Sequence, residues 1–187
     1  GDGNGDGIFD SEQSNVASIP TLNSSVWATL STDSTGEVVT NVQIEQPLNI
    51  PNKMSAPYGV FSFTLENLLG TSVPMSLYLT GDWALTDVLK NEWTNNLDSQ
   101  VINGYWKQDA NLDWKNIATL ISIEGGKLRI DFTLTDGDWT DKDGLINGTI
   151  VDPGIIGLYN NVPVAVDDAG SVDEDGVLAF TLQDILG

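Results

Sequence analysis

Apolar and polar residues alternate in several short stretches of the chain, which is the period-two pattern of a β-strand with one buried face. The alternating positions form six rows: Val26, Ala28 and Leu30; Val38, Thr40, Val42 and Ile44; Phe61, Phe63 and Leu65; Met75, Leu77 and Leu79; Ile117, Thr119, Ile121 and Ile123; Leu128, Ile130, Phe132 and Leu134. Turn-forming residues separate the rows, as at Gly125 and Gly126. We therefore predict an all-β protein, an antiparallel β-sandwich or jelly-roll.

One segment has a different period. Four apolar residues recur there at helical spacing: Leu85, Val88, Leu89 and Trp93. Thr86 is a candidate N-cap, so the pattern predicts one short helical insertion from Trp83 to Trp93. The segment either plugs one end of the sandwich or forms a wall of a ligand pocket, because sandwiches carry recognition on their connections. In the second case Trp83 is a ligand-binding residue.

Changes in composition divide the chain into three parts. Residues 1–24 hold a Gly- and Asp-rich loop and a polar stretch with Pro20, which predicts a calcium loop and a linker. Residues 25–160 contain the alternating rows and predict the β-sandwich ligand-binding module. Residues 161–187 begin near Pro163 and predict a linker and the first strand of a following repeat. The opening GDGNGDG, without Met or signal peptide, suggests a piece of a longer chain.

The composition excludes several classes of function. The 187 residues are enough for one sizeable domain, and the formal net charge of −20 disfavours binding to nucleic acid or to an anionic membrane. The chain has no Cys and no His, which excludes cysteine nucleophiles, Ser-His-Asp triads and thiolate zinc sites. No stretch is long and apolar enough to insert into a membrane. We expect a monomer, because the charge keeps copies apart.

An acidic loop at residues 136–152, DGDWTDKDGLINGTIVD, is the leading candidate for a metal site. Like charges at this spacing repel unless a cation lies among them, and hard oxygen donors on a glycine-punctuated loop suit calcium. The predicted ligands are Asp136, Asp138, Asp141, Asp143, Asn147 and Asp152. The alternative is a solvated acidic loop without a metal.

Two further stretches repeat this chemistry. The opening DGNGDGIFD has the spacing of a calcium loop of the EF-hand type, with Glu12 or Gln13 able to complete the shell. Its predicted ligands are Asp2, Asn4, Asp6, the carbonyl group of Ile8, and Asp10. In the tail, the predicted ligands are Asp167, Asp168, Asp173 and Asp175. We therefore expect several calcium ions, and we expect folding to be linked to their binding.

Aromatic residues lie beside acidic ones in NGYWKQDANLDW, residues 103–114. Flat apolar surfaces combined with hydrogen-bond acceptors suit contacts with a peptide or a sugar. The candidate ligand contacts are Tyr105, Trp106, Lys107 and Asp109, together with Trp139 of the acidic loop. The alternative places the aromatics at the edge of the core and pairs Lys107 with a neighbouring Asp instead of a ligand carboxylate.

Three parts of the sequence resemble known modules. The opening DGNGDGIFDSEQSNVASIP resembles the calcium repeats of the thrombospondin type 3 sort. The segments PYGVFSFT, NGYWKQDANLDW, RIDFTLTDGDWTDKDG and NGTIVDPG resemble a choice-of-anchor U domain. The tail VPVAVDDAGSVDEDG resembles the start of the cadherin-like repeats of giant bacterial RTX adhesins.

These resemblances imply a secreted ligand-binding module on a bacterial cell surface. The leading hypothesis is calcium-dependent adhesion through a peptide, in which the free C-terminal carboxylate of a target protein completes the shell of a calcium in the acidic loop. A calcium-dependent carbohydrate-binding module and a calcium-rigidified spacer stay open as alternatives. We do not expect an enzyme, because the acidic residues follow metal-loop spacing and no pair matches a catalytic motif.

Overall fold

A computed structural model describes residues 1–52, 54–83 and 104–159. Within these ranges the chain forms eleven β-strands and one short 3-10 helix, Asp10–Glu12. The strands are β1 (Val16–Pro20), β2 (Val26–Thr32), β3 (Val38–Glu45), β4 (Met54–Ser55), β5 (Val60–Glu66), β6 (Ser72–Gly81), β7 (Gly104–Gln108), β8 (Trp114–Asn116), β9 (Ala118–Glu124), β10 (Lys127–Thr135) and β11 (Ile150–Tyr159).

The strands form two sheets in which every described pairing is antiparallel. The first sheet has the order β1-β2-β6-β10-β9, and the second has the order β3-β5-β11-β7-β8 with β4 paired to β11. Among the described strands, only the β1-β2, β7-β8 and β9-β10 pairs join strands that follow each other directly in the chain, so most of the described pairings join segments that are further apart. The all-β sandwich predicted from the alternating rows is confirmed.

The core lies between the two sheets and is built mainly from four of the six predicted rows, while the row from Val38 is half-buried and the row from Ile117 is partly exposed. The inward positions of β2, β5, β6 and β10 are almost completely buried: Val26, Ala28 and Leu30; Phe61, Phe63 and Leu65; Met75, Leu77 and Leu79; Leu128, Ile130, Phe132 and Leu134. Removing this much apolar surface from water is the main favourable contribution to the folding of such a sandwich.

A second, smaller cluster covers the outer face of the second sheet. Met54, Ala56 and Ile155 are buried there, and Trp106 and Trp114 pack against them. This cluster places the β7-β8 hairpin against the segment that precedes β5. It therefore positions one wall of the groove described below.

The linker predicted for residues 11–24 is wrong, because Val16–Pro20 form the edge strand β1 and pair with β2 from Val16↔Ser31 to Pro20↔Trp27. The prediction failed because an edge strand buries few of its side chains, so polar residues can occupy most of its positions. The predicted helical insertion after Trp83 and the predicted tail strand lie outside the described residues.

In the described part of the chain, no helix has the length and apolarity needed to cross a lipid bilayer.

Candidate functional site

A groove with a volume of about 760 Å3 lies where three connections meet. Its walls come from the segment after β3, from the β7-β8 hairpin and from the acidic loop after β10. Of the predicted ligand contacts, Lys107, Asp109 and Trp139 line this groove, together with the predicted loop residues Asp138, Asp141 and Asp143. The fold thus brings the two segments that the sequence singled out for function to one place.

Exposed apolar side chains form one wall of the groove. Leu112 at the hairpin turn is 72% exposed and Leu48 is 75% exposed, and both line the groove with Val60 and Trp114. Leu112 adopts a left-handed backbone conformation with φ of 67°. A branched residue in that region is strained, and such strain often occurs at binding sites.

Trp139 of the acidic loop also lines the groove and is 40% exposed. The Lys115 ammonium lies 5.3 Å from the centre of the Trp139 ring, which is the geometry of a cation–π contact. The same ammonium lies 2.6 Å from Oδ2 of Asp109. Lys115 therefore links the β7-β8 hairpin to the acidic loop.

Asp109 organises the hairpin turn. Its Oδ1 accepts hydrogen bonds from the backbone N–H of Asn111, at 2.8 Å, and of Asp113, at 3.0 Å. The Lys115 ammonium, followed by these backbone donors, lowers the pKa of the Asp109 carboxyl below its usual range. The carboxylate thus shapes the turn rather than projecting freely into the groove.

The acidic loop folds through its own carboxylates. Asp136 accepts hydrogen bonds from the backbone N–H groups of Asn147, at 3.2 Å, and Gly148, at 2.9 Å. Asp141 accepts from the N–H groups of Gly137, at 3.1 Å, and Val151, at 3.0 Å. Both carboxylates are buried, so they act as acceptors that close the loop.

Asp138 and Asp143 are the more accessible carboxylates of this loop. Asp138 accepts from both the backbone N–H and the hydroxyl group of Thr140. Asp143 accepts from the N–H of Leu145, at 2.8 Å, and this bond lowers the pKa of the Asp143 carboxyl. Together with exposed Glu45 they make the rim of the groove acidic.

A buried pair lies beneath the groove, where Lys107 reaches its lining and Asp152 does not. The ammonium of Lys107 directly contacts Oδ1 of Asp152, and the two side chains are 2% and 0% exposed. The hydroxyl of Tyr105 donates to Oδ2 of the same carboxylate. Of the two roles left open for Lys107, the structure shows the pairing with an Asp. Burial lowers the pKa of Lys107 to about 7, against the opposing effect of the charges on Asp141 and Asp138.

Three predicted site residues are corrected by these contacts. Tyr105 is fully buried, and its ring stacks on Phe132 with centroids 4.0 Å apart, so it belongs to the core. Trp83 is also buried, and its indole N–H donates to the carbonyl of Gly126 at 3.0 Å. Asp152 has Lys107 and Tyr105 as its partners and is enclosed by the sheet, so it is not available to a metal in the loop. Trp106 packs on the outer-face cluster beside the groove.

The opening loop has donors that fit calcium. The side chains of Asn4, Asp6 and Gln13 converge, with Asn4 Nδ2 and Gln13 Nε2 lying 3.0 and 2.6 Å from Oδ2 of Asp6. Because the O and N atoms of such amides exchange places by a simple flip, the same positions present three oxygens. Bound there, calcium would supply positive charge among hard oxygen donors. Asp2 and Asp10 hold the loop through backbone N–H groups of Gly5, Gly7 and Gly3.

The acidic loop has the carboxylate oxygens that calcium prefers, but they are not arranged around a common point. Its carboxylates close separate backbone turns and do not meet at one point. Within residues 1–52, 54–83 and 104–159, no three carboxylates come together in a way that would hold a metal ion. Calcium in this loop stays a prediction, and the predicted ligands Asp167, Asp168, Asp173 and Asp175 lie outside the described residues.

Sequence reasoning did not identify several groove residues. Glu45, Leu48, Leu112 and Lys115 line or brace the groove, yet none belongs to a recognisable motif. The signal that could have found Leu112 is its place between Asn111 and Asp113, where a turn leaves an apolar side chain in water. The others required the tertiary structure.

No protein-family model matches the chain, and neither a curated protein nor a solved structure matches it.

Proposed function

We propose that this chain is a ligand-binding module that takes a peptide segment in the groove between the β7-β8 hairpin and the acidic loop, and that it serves adhesion at a bacterial cell surface. The observation that carries the proposal is the groove itself. It combines exposed apolar side chains with a few fixed polar groups, and its volume of about 760 Å3 falls in the range of ligand pockets.

The apolar surfaces supply contact area. Trp139 and Trp114 offer flat rings, and exposed Leu48 and Leu112 offer aliphatic surface. Peptide side chains that cover these groups remove apolar area from water, and an aromatic anchor in a groove is typical of binding hot spots. The Lys115 contact already holds Trp139 in place, which reduces the entropy lost on binding.

The charge of the rim bears on which part of a peptide is bound. Three carboxylates of the lining, Glu45, Asp138 and Asp143, repel a carboxylate and outnumber the exposed ammonium of Lys142, and the whole chain carries a net charge of −20. A free C-terminal carboxylate therefore enters this groove only together with a cation. The proposal thus has two forms. In the stricter form the groove binds a free C-terminus and needs calcium. In the looser form it binds an internal or basic segment without calcium.

The test is binding of the chain to an immobilised peptide library that presents free and amidated C-termini, in calcium and in chelator. We expect Trp139→Ala to weaken binding at least tenfold, which is about 1.4 kcal/mol. The matched control is Trp27→Ala, because Trp27 is 49% exposed on β2 and does not line the groove. This control should bind as the wild type does.

The proposal fails if the wild type binds no peptide in either condition, or if Trp27→Ala weakens binding as much as Trp139→Ala. Binding that is lost on amidation and in chelator supports the calcium-dependent form. Binding that survives both changes supports the looser form.

A further inference from the structure

The pair formed by Lys107 and Asp152 has no role in the proposed ligand binding. Lys107 lies on β7 and Asp152 on β11, and these two strands are hydrogen-bonded neighbours in the second sheet. The ammonium nitrogen directly contacts the carboxylate, and the two side chains are 2% and 0% exposed. The fold therefore holds an amine and a carboxyl group together in the interior.

Aromatic groups pack against this pair, and the charges of Asp141 and Asp138 act on its ammonium from the acidic loop. Tyr105, stacked on Phe132, donates its hydroxyl to the carboxylate, and Asp152 lies opposite the buried Phe63 on β5. Water is excluded from such a place, so an ion pair there keeps a large desolvation cost. In the described part of the chain, the other acceptor of the Lys107 ammonium is the carbonyl of Pro153, at 3.5 Å, which is a weak contact.

We propose that Lys107 and Asp152 condense to form an intramolecular isopeptide bond between β7 and β11. A proton first moves from the ammonium to the carboxylate, which leaves a neutral amine and a neutral acid. The lone pair of Nζ then attacks Cγ of Asp152, a new C–N bond forms, and one C–O bond breaks. The departing oxygen leaves as one water molecule, with one hydrogen from the acid and one from the amine. No oxidant, reductant or co-reactant takes part.

The surroundings favour each part of this step. Loss of both charges removes the desolvation cost of the ion pair, and exclusion of water opposes the reverse hydrolysis. The Tyr105 hydroxyl is placed to donate to the oxygen that becomes negative during the attack. Burial raises the pKa of Tyr105 well above its ordinary value, so the hydroxyl keeps its proton. Burial lowers the pKa of Lys107 to about 7, which favours the neutral amine.

The bond would join two strands that are hydrogen-bonded only over a short register, from Ile155↔Trp106 to Gly157↔Gly104. A covalent link there keeps the β7-β8 hairpin, and with it one wall of the groove, attached to β11 when the chain is pulled or unfolded.

The experiment is intact-mass spectrometry of the full 187-residue chain after denaturation. We expect a mass lower than the sequence mass by one water molecule. We expect Lys107→Arg, which keeps the positive charge, and Asp152→Ala each to show the full mass of their own sequences. Lys115→Arg is the matched control, because Lys115 is an exposed lysine paired with Asp109, and it should keep the loss of water.

Tryptic digestion locates the bond. A linked Lys107 is not cleaved, so residues 91–115 should appear joined to residues 143–187. A wild-type mass equal to the sequence mass overturns the proposal. So does a loss of water that persists in Lys107→Arg, since it would come from another reaction such as ring closure at Asp136-Gly137 or Asp143-Gly144.

Discussion

At the scale of single residues, the groove depends on side chains that fix backbone rather than on free charges. The Asp109 carboxylate accepts hydrogen bonds from two backbone N–H groups of its own turn and pairs with the ammonium of Lys115. Lys115 in turn lies over the ring of Trp139. Asp109 therefore sets the conformation of the hairpin turn and, through Lys115, helps to position the Trp139 ring.

The lowered pKa of Asp109 makes its contribution to stability dependent on pH. The folded state holds the carboxyl deprotonated more strongly than the unfolded state does, whose pKa is about 3.9. The stabilisation is complete above that value and is lost as the pH falls through the folded pKa. We expect Asp109→Asn to be less stable than the wild type at pH 7, with a difference that shrinks as the pH falls below about 4.

Chemical denaturation of both proteins across this pH range measures the difference. Lys115→Met removes the largest cause of the pKa shift and should weaken the pH dependence. A difference that stays constant or grows towards low pH would contradict this account.

At the scale of elements, the acidic loop is closed by buried carboxylates. Asp136 begins the loop, where its backbone N–H donates to the carbonyl of Thr71 at 2.7 Å and its carboxylate accepts from Asn147 and Gly148. The glycines at 137, 144 and 148 have φ of 78°, 64° and 78°, a region in which other residues are strained. The loop is therefore a specific folded structure rather than a solvated run of charge.

We expect Asp136→Asn to destabilise the protein by about 1–3 kcal/mol, because the amide has one acceptor oxygen where the carboxylate has two and points its NH2 group at a backbone N–H that the carboxylate had accepted. Urea denaturation gives the free energy of unfolding. The control is Asp33→Asn in the exposed turn between β2 and β3, which should change stability by less than about 0.5 kcal/mol. Equal effects of the two substitutions would show that the loop contacts of Asp136 contribute nothing.

At the scale of the whole molecule, the net charge of −20 opposes compaction. The opening loop adds to this charge, yet it is attached to the sandwich. The Lys127 ammonium donates to the carbonyls of Asp2 and Gly3, at 2.9 and 3.0 Å, and the N–H of Asp10 donates to the carbonyl of Gly1 at 2.9 Å. A cation bound in this loop would therefore stabilise the first sheet as well.

We expect calcium to raise the melting temperature by several degrees over chelator, because an ion at a hundred times its Kd adds about 2.7 kcal/mol. Thermal unfolding followed by tryptophan fluorescence measures this, with magnesium as the ionic control. Asp6→Asn removes a converging oxygen of the opening loop and should reduce the shift. A full shift in Asp6→Asn would assign the effect to ions bound elsewhere in the chain.

The sequence by itself determined the fold class and most of its strands. Burial of one face of a strand appears directly as alternation, so the rows at Phe61 and Leu128 identified β5 and β10. The sequence also identified the two segments that meet at the groove, since acidic and aromatic residues cluster in each. It did not reveal β1, because an edge strand with mostly polar side chains has a weak pattern.

Only the tertiary structure decided which functional candidates are accessible. By residue type, Tyr105 and Trp139 are equally suitable for contacting a ligand. Packing of the two sheets, however, buries Tyr105 and leaves Trp139 exposed at the groove. The pairing of Lys107 with Asp152 likewise depends on β7 and β11 becoming neighbours, and no local pattern records which distant strands pair. Alternation is a property of neighbouring residues, whereas burial and contact between strands are properties of the whole packed chain.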